Sequence, residues 1–218
     1  MQARLGAAVL RSDLEPFYGE YINEAIVEIE NMRSWTFMKV TEQVVLGPGD
    51  GFEKVALQSN FKELRRDPAI NFIADDGGFI PAVTVFEEEE IFRFWAYGGA
   101  PMFVWPPRVF LLRGPATPTQ MATGQTIQAS IGILNPLIEQ FNISVNMYAY
   151  LPILVNPTDL SPFIIAYPNM VLEKSKEIAF SGINDSIAAA AAAEFQRKYE
   201  KAASQDAYSE VAGRRLRM

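Results

Sequence analysis

The sequence predicts an α+β fold whose helices come from both ends of the chain and whose strands come from the middle. Apolar residues recur at helical spacing over 13–34, strand-like runs with turn residues fill 37–158, and two helices follow. We expect the N-terminal helix and the C-terminal helical hairpin to form one discontinuous domain, residues 1–36 and 159–218. The β-rich part, 37–158, is predicted to carry a protruding loop or hairpin, an inserted arm at about 114–139.

The first helix is predicted from a cap and an apolar stripe. Ser12 and Glu15 have the spacing of a capping box, and Pro16 is tolerated in a first helical turn. The stripe follows three- and four-residue steps, from Phe17 and Tyr21 to Met32, with acidic residues on the opposite face. This pattern favours a core-facing helix over a ligand site.

The middle of the chain reads as short strands separated by turns. Proline at both ends of the segment 101–118 confines its strands to edges or strand ends. The residues at 61–66 are predicted to form a short helical turn, and the four glutamates at 87–90 are predicted to start a short helix. The predicted strands are 37–46, 52–57, 70–73, 79–85, 102–105, 109–112 and the strictly alternating 141–150.

The last third is predicted to be a helical hairpin. Leu160–Pro162 starts a helix that runs to Gly182, and Asn184 or Asp185 caps a second helix. That helix contains six consecutive alanines, Ala188–Ala193, which have the highest helix propensity of any residue. Glu194 and Lys198 have the spacing of a favourable i,i+4 ion pair.

The composition excludes several kinds of catalysis. The chain has no cysteine and no histidine, which rules out thiolate nucleophiles and metal ligands, Ser-His-Asp triads and an imidazole base. The paired Asp75 and Asp76, and the run Glu87–Glu90, could in principle bind a cation, but a turn and a solvated face are the favoured interpretations. We expect no metal, no cofactor and no enzymatic activity. Apolar runs are too short to cross a bilayer, so no membrane contact is expected.

The charge is unevenly distributed. The net charge is −7, while residues 1–12 carry two arginines and residues 211–218 carry three, in both cases without an acid. Subtracting these five positive charges leaves −12 on the body of the chain. An acidic body with short basic ends does not look like a sequence-specific DNA reader, which has a basic face.

Several short motifs, taken in order, resemble the head-to-tail adaptor proteins of tailed phages, with a short-tailed phage favoured. The helix ending in Trp35-Thr-Phe37 is similar to the opening helix of that family, and Phe61-Lys-Glu-Leu64 matches a short segment that follows it. Gly99-Ala-Pro101 with the strand after it, and Tyr148-Ala-Tyr-Leu-Pro152, resemble later motifs. The segments that resemble the family most strongly are Tyr167–Leu172, Phe195–Tyr199 and Gly213–Met218. Residues 120–139 depart from the family pattern as an insertion.

The resemblance implies a structural virion protein with no catalysis. Such adaptors form a homo-oligomeric ring, commonly of twelve copies, which joins the portal protein to the tail nozzle or tail tube and extends the DNA channel. The chain would then be made in the host cytoplasm and reside in the neck of the virion. An acidic channel wall would let genomic DNA pass without specific binding.

The resemblance also points to two groups of contact residues. The portal-docking residues are predicted to be Arg214, Arg215, Leu216, Arg217 and Met218, since guanidinium groups pair well with carboxylates. Contacts to neighbouring subunits or to the tail are predicted at Trp105, Phe110, Ile127 and Ile131.

Two alternatives remain open at the level of sequence. One is a carboxylate-dependent, cell-wall degrading hydrolase, which would use Glu87–Glu90 with Asp75 or Asp76. The other is a generic interaction domain.

Overall fold

The chain divides into two compact units, one helical and one built of strands. The computed structural model describes residues 1–47, 54–65, 69–74, 77–82, 85–86, 109–115, 127–133, 140–156 and 158–215. Unit 1 comprises Met1–Phe37 and Ile153–Met218, and unit 2 comprises Met38–Pro152. The boundaries predicted from the sequence were 36/37 and 158/159. The α+β class is confirmed, with helices at both ends of the chain and largely antiparallel sheets formed by the residues between them.

The helical unit begins with an element that the sequence did not predict. Helix α1 spans Gln2–Val9 and buries Leu5 and Val9. A 3₁₀ turn, Ser12–Phe17, precedes α2, Tyr18–Met32. The capping-box prediction is wrong in detail, because Ser12 opens the 3₁₀ turn and makes no capping hydrogen bond, while Pro16 delays the α-helix to Tyr18.

Three helices complete unit 1 where the sequence predicted two, because Tyr167, which is not helical, divides the first predicted helix just before Pro168. They are α3, Pro162–Ala166, α4, Pro168–Phe180, and α5, Asp185–Arg215. Gly182 has a φ of 75°, the left-handed conformation that lets the chain turn after α4. The Asn184 side chain accepts a hydrogen bond from the N–H of Ile187 at 3.3 Å, which confirms the predicted cap of α5.

Helix α4 lies at the centre of the unit because it contacts α1, α2, α3 and α5. Helix α4 therefore buries polar as well as apolar residues. Two adjacent charged residues of α4, Glu173 and Lys174, form ion pairs with different helices. The Glu173 carboxylate accepts from the Lys198 ammonium of α5 at 2.9 Å, and the Lys174 ammonium lies 2.6 Å from the Glu28 carboxylate of α2. Ion pairs of opposite polarity thus hold α4 to α2 on one side and to α5 on the other.

Unit 2 contains nine strands in its described residues, arranged in two sheets. The strands are β1 Lys39–Leu46, β2 Lys54–Ala56, β3 Phe61–Leu64, β4 Ile70–Ile73, β5 Phe79–Pro81, β6 Val85–Phe86, β7 Val109–Pro115, β8 Ile127–Ile133 and β9 Phe141–Ala149. The first sheet has the order β1-β9-β4-β5 with β3 also paired to β9, and the second has the order β2-β8-β7-β6.

The two sheets enclose one apolar core. Strand β9 supplies alternate residues from Phe141 to Met147, as its period-two pattern predicted, and β8 supplies Ala129, Ile131 and Ile133. The Glu42 carboxylate of β1 accepts hydrogen bonds from the N–H groups of Gln58 and Ser59 at 2.6 and 3.1 Å, fixing the chain just after β2.

Two predictions about this unit are wrong. Residues 61–64 form strand β3, paired with β9, and not a helical turn. The predicted arm at 114–139 is wrong for residues 127–133, since they form β8, which is hydrogen-bonded on both sides and buries three side chains in the core. Residues 116–126 and 134–139 of that arm lie outside the described residues. The predictions for the aspartates at 75–76, the glutamates at 87–90 and the strand at 102–105 concern residues outside the described ones.

Candidate functional site: the C-terminal helix and its anchor

Helix α5 is the longest element of the chain, at 31 residues or roughly 46 Å. Its first half packs on α4 through Ala191, Phe195 and Ala202, and its alanine run supplies intrinsic helix stability. The predicted Glu194–Lys198 pair is present at 3.3 Å, and the Arg197 guanidinium also pairs with Glu194 at 2.6 Å. The hydrogen bond from Arg197 is the largest cause that lowers the pKa of the Glu194 carboxyl to about 2.

A buried carboxylate anchors the second half of α5. Asp206 is 3% exposed, and its two oxygens accept from the N–H of Thr36 at 3.1 and 3.2 Å. The Arg33 guanidinium pairs with the same carboxylate at 3.2 Å and donates to the carbonyl of Ala203 at 2.9 Å. The segment that follows α2 is thereby fixed to α5 by charge-assisted hydrogen bonds.

An aromatic cluster supports this anchor. Trp35 is fully buried, and its indole N–H donates to the carbonyl of Ile29 at 3.2 Å. The Arg33 guanidinium lies 5.1 Å from the centre of the Trp35 ring, a cation–π contact. Burial, followed by the negative charge of Asp206, raises the pKa of Tyr167, so this phenol stays neutral at physiological pH. The ring centroids packed within 6.0 Å of Trp35 belong to Phe37, Phe163, Tyr167 and Tyr199.

Beyond Asp206, α5 continues as a helical extension, which we define as Ala207–Arg215. Ala207, Tyr208 and Ser209 are all exposed, and Tyr208 reaches 77%, a large value for an aromatic residue. Nine residues of helix extend the unit by about 13 Å. Arg214 and Arg215 are the last two residues of α5 that the structure describes. The other predicted docking residues, Leu216, Arg217 and Met218, lie outside the described residues.

A cationic groove lies beside the anchor, between the start of α4 and the side of α5. It has a volume of about 510 Å³, and buried Met170 and Ala202 contribute an apolar floor. Its charged lining residues, among those the structure describes, are Arg197, Lys198 and Lys201, and all three are cations. The N-terminus of α4 adds positive potential. Arg4 adds a positive charge near this N-terminus, because its guanidinium donates to the side chain of Asn169 in the first turn of α4 at 2.8 Å.

Neither the anchor nor the groove was predicted from the sequence. The spacing of Arg197, Lys198 and Lys201 places three cations along one side of a helix, a signal that is visible in the sequence. Asp206 offered no such signal, because its partners Arg33 and Thr36 lie 173 and 170 residues away in sequence.

The predicted subunit or tail contacts fall in unit 2, and the structure places them differently from an exposed contact patch. Phe110 and Ile131 are buried, at 3% and 0% exposure, in neighbouring strands β7 and β8. Ile131 belongs to the apolar core of the unit. Ile127 begins β8, and Trp105 lies outside the described residues.

A smaller cavity of about 230 Å³ opens between α2 and the segment 154–164. Its polar groups serve structural roles. The Asn23 amide donates to and accepts from the backbone of Leu154 at 2.9 and 3.0 Å. The Asp159 carboxylate accepts from the N–H groups of Asn156 and Val155, and these bonds lower its pKa, so it stays ionised and is a poor general acid.

No cluster of three or more metal-ligating acidic side chains occurs within the described ranges. The carboxylates that the hydrolase alternative requires, Asp75, Asp76 and Glu87–Glu90, lie outside those ranges, so that alternative stays a prediction.

The ion pairs of Glu173 give the helical unit a predictable acid sensitivity. Burial raises the pKa of this carboxyl, but hydrogen bonds from Lys176 and Lys198 outweigh it and hold the pKa below its ordinary value. Because folding lowers the pKa of this carboxyl, its ionised form stabilises the fold at pH values above the unfolded-state pKa of about 4.3. This contribution is lost as the pH falls through the lower folded-state pKa. Glu173→Gln should lower the free energy of unfolding by about 1–3 kcal/mol at pH 7.

Urea denaturation followed by circular dichroism between pH 3 and pH 7 measures this effect. The difference between wild type and Glu173→Gln should shrink toward pH 3, whereas the exposed control Glu20→Gln should track the wild type throughout. A difference that stays constant with pH would contradict the assignment.

The fold and site together describe an α+β protein of two compact units whose most distinctive surface is a helical one. None of the helices in the described residues combines the length and apolar composition of a membrane-spanning segment. The chain matches no known family model and no curated protein.

Proposed function

We propose that the chain is a structural virion protein, a head-to-tail adaptor whose copies form a ring, of twelve subunits by analogy with the family it resembles. The ring would join the portal to the tail nozzle or tail tube in the neck of the virion and extend the DNA channel. The observation that carries the proposal is that α5 runs on past its anchor at Asp206 to Arg214 and Arg215, so two of the predicted docking arginines belong to a helix that is held at its base.

The anchor explains how such an extension could dock with little loss of entropy. Asp206 and Arg33 hold α5 immediately before the extension begins, so its basic end is positioned before a partner arrives. Binding that needs little ordering of the ligand retains more of its interaction energy. An acidic groove on a portal protein would pair with the guanidinium groups bidentately, which lysine cannot do.

The test reverses the charge of the docking end. The triple variant Arg214→Glu, Arg215→Glu and Arg217→Glu should bind the portal protein encoded in the same genome at least 100-fold more weakly. The reason is that three favourable pairs of about 1 kcal/mol each become repulsive. Pull-down titration and imaging of the complex for a ring measure the outcome.

The matched control replaces the same three arginines with lysine, which keeps the charge and should cost less than about tenfold in affinity. Unchanged circular dichroism would show that both variants fold. If the glutamate variant binds portal as tightly as wild type, the docking role of this end is wrong.

A further inference from the structure

The two sides of the helical unit carry complementary surfaces that cannot meet within one chain. One is the cationic groove described above. The other, which we call the acidic ridge, is the outer face of α2, formed by Glu20, Glu24 and Val27. These residues are spaced i, i+4 and i+7, so they share one face, and all three are exposed.

The ridge carries charges that nothing in the described part of the chain neutralises. Glu20 and Glu24 make no ion pair with any described residue, although like charges at i,i+4 disfavour a helix. Val27 is 42% exposed, so it adds an apolar side chain to the ridge between Glu24 and the C-terminal end of the helix. An unpaired acidic stripe with an apolar residue at one end suits a surface that is covered by a cationic, partly apolar partner.

The groove has the complementary composition. The ammonium of Lys201 is exposed and makes no ion pair among the described residues, and Arg197, whose side chain is 75% exposed, retains free donors beside Glu194. The apolar floor of Met170 and Ala202 can receive an aliphatic side chain.

The geometry prevents the ridge from folding back into the groove of its own chain. The C-terminal end of α2 lies beside the groove, since Arg33 contacts Ala203 and Asp206. Glu20 lies twelve residues from Met32, the last residue of α2, which places it roughly 18 Å further along the helix axis. Helix α4 also separates the outer face of α2 from α5 by packing against both.

We propose that the cationic groove of one copy binds the acidic ridge of α2 in a second copy. Because the two surfaces differ, the contact is heterologous and can propagate from copy to copy, closing into a ring if the rotation between neighbours closes. The inference rests on the proposed adaptor function, since it assigns the contact between neighbouring subunits.

Charge reversal tests this contact with the full-length protein. Sedimentation velocity at low salt should show self-association that weakens as NaCl is raised from 50 to 500 mM. Glu20→Lys/Glu24→Lys and Arg197→Glu/Lys201→Glu should each weaken self-association by about 10- to 100-fold. An equimolar mixture of the two variants should associate, because each reversed surface then meets its complement, and the quadruple variant should recover self-association.

The matched control is Glu63→Lys, which shifts the net charge as Glu24→Lys does but lies on β3, and it should associate like wild type. A chain that stays monomeric at all concentrations, or a mixture that fails to associate, would overturn the proposal. The proposal would also be overturned if Arg197→Glu/Lys201→Glu abolished binding of a short DNA duplex but left self-association unchanged, because the groove would then bind nucleic acid and not a second copy.

Portal binding separates this inference from the proposed function. The triple glutamate variant at residues 214–217 should still self-associate, because the ridge and groove are intact. If self-association is absent while portal binding still depends on those arginines, the ridge–groove contact fails and the adaptor function stands. If self-association occurs through the ridge and groove but portal is never bound, the adaptor function fails instead.

Discussion

Replacing Trp35 with alanine should lower the free energy of unfolding of the helical unit by about 3–5 kcal/mol. The indole is fully buried and four aromatic rings and a guanidinium pack around it, so its removal leaves a cavity that these neighbours can fill only in part. Guanidinium chloride denaturation, monitored by circular dichroism at 222 nm, measures the change through the helices that dominate unit 1.

The control for Trp35→Ala is Trp35→Phe, which keeps an aromatic ring but loses the hydrogen bond to the carbonyl of Ile29. This variant should lose about 1–2 kcal/mol, from the missing hydrogen bond and the smaller ring. An alanine variant within 1 kcal/mol of wild type would show that the aromatic cluster does not hold the unit together.

The elements that the sequence predicted well are those with a long, local pattern. Strand β9 alternates over nine residues and α2 keeps its apolar stripe through 15 residues, so neither depends on knowing its neighbours. The cap at Asn184 and the left-handed Gly182 are also local, because each involves backbone groups within a few residues.

The failures arise where distant pairing decides the structure. Phe61 and Leu64 are three residues apart, which suits a helical turn, but pairing with β9 makes 61–64 a strand. Strand β8 lies in a stretch rich in Gly, Gln and Thr that looked like a loop, and it is ordered by partners on both sides. A short segment has too few residues for its own periodicity to outweigh such contacts.

The candidate site was only half predictable for the same reason. The basic end of the chain is visible in the sequence as an isolated run of arginines, but the carboxylate that positions its helix is not. Asp206 lies where the apolar pattern thins, and its burial depends on Arg33 and Thr36 at the other end of the chain. Charge distribution therefore located the surface, and only the tertiary structure located its support.

Asp206→Ala should lower the free energy of unfolding by about 2–3 kcal/mol. Removing the carboxylate leaves the Thr36 N–H without its acceptor and the Arg33 guanidinium without this counter-charge. The loss should fall below the roughly 3–5 kcal/mol of a fully buried pair, because 26% of the Arg33 side chain is exposed to water. Thermal and denaturant unfolding, compared with wild type, measure the loss.

Asp206→Asn separates charge from hydrogen bonding. The amide oxygen can still accept from Thr36, so this variant should lose about half as much stability as Asp206→Ala; equal losses would show that the charge is the whole effect.

Hydrogen exchange of residues 207–215 should accelerate in the alanine variant, since the extension would no longer be held at its base. Under conditions where that variant stays folded, portal binding should weaken by about tenfold even though every arginine is present, because ordering of the extension must then accompany docking. Unchanged exchange and unchanged portal affinity would mean that the anchor stabilises the unit without positioning its basic end.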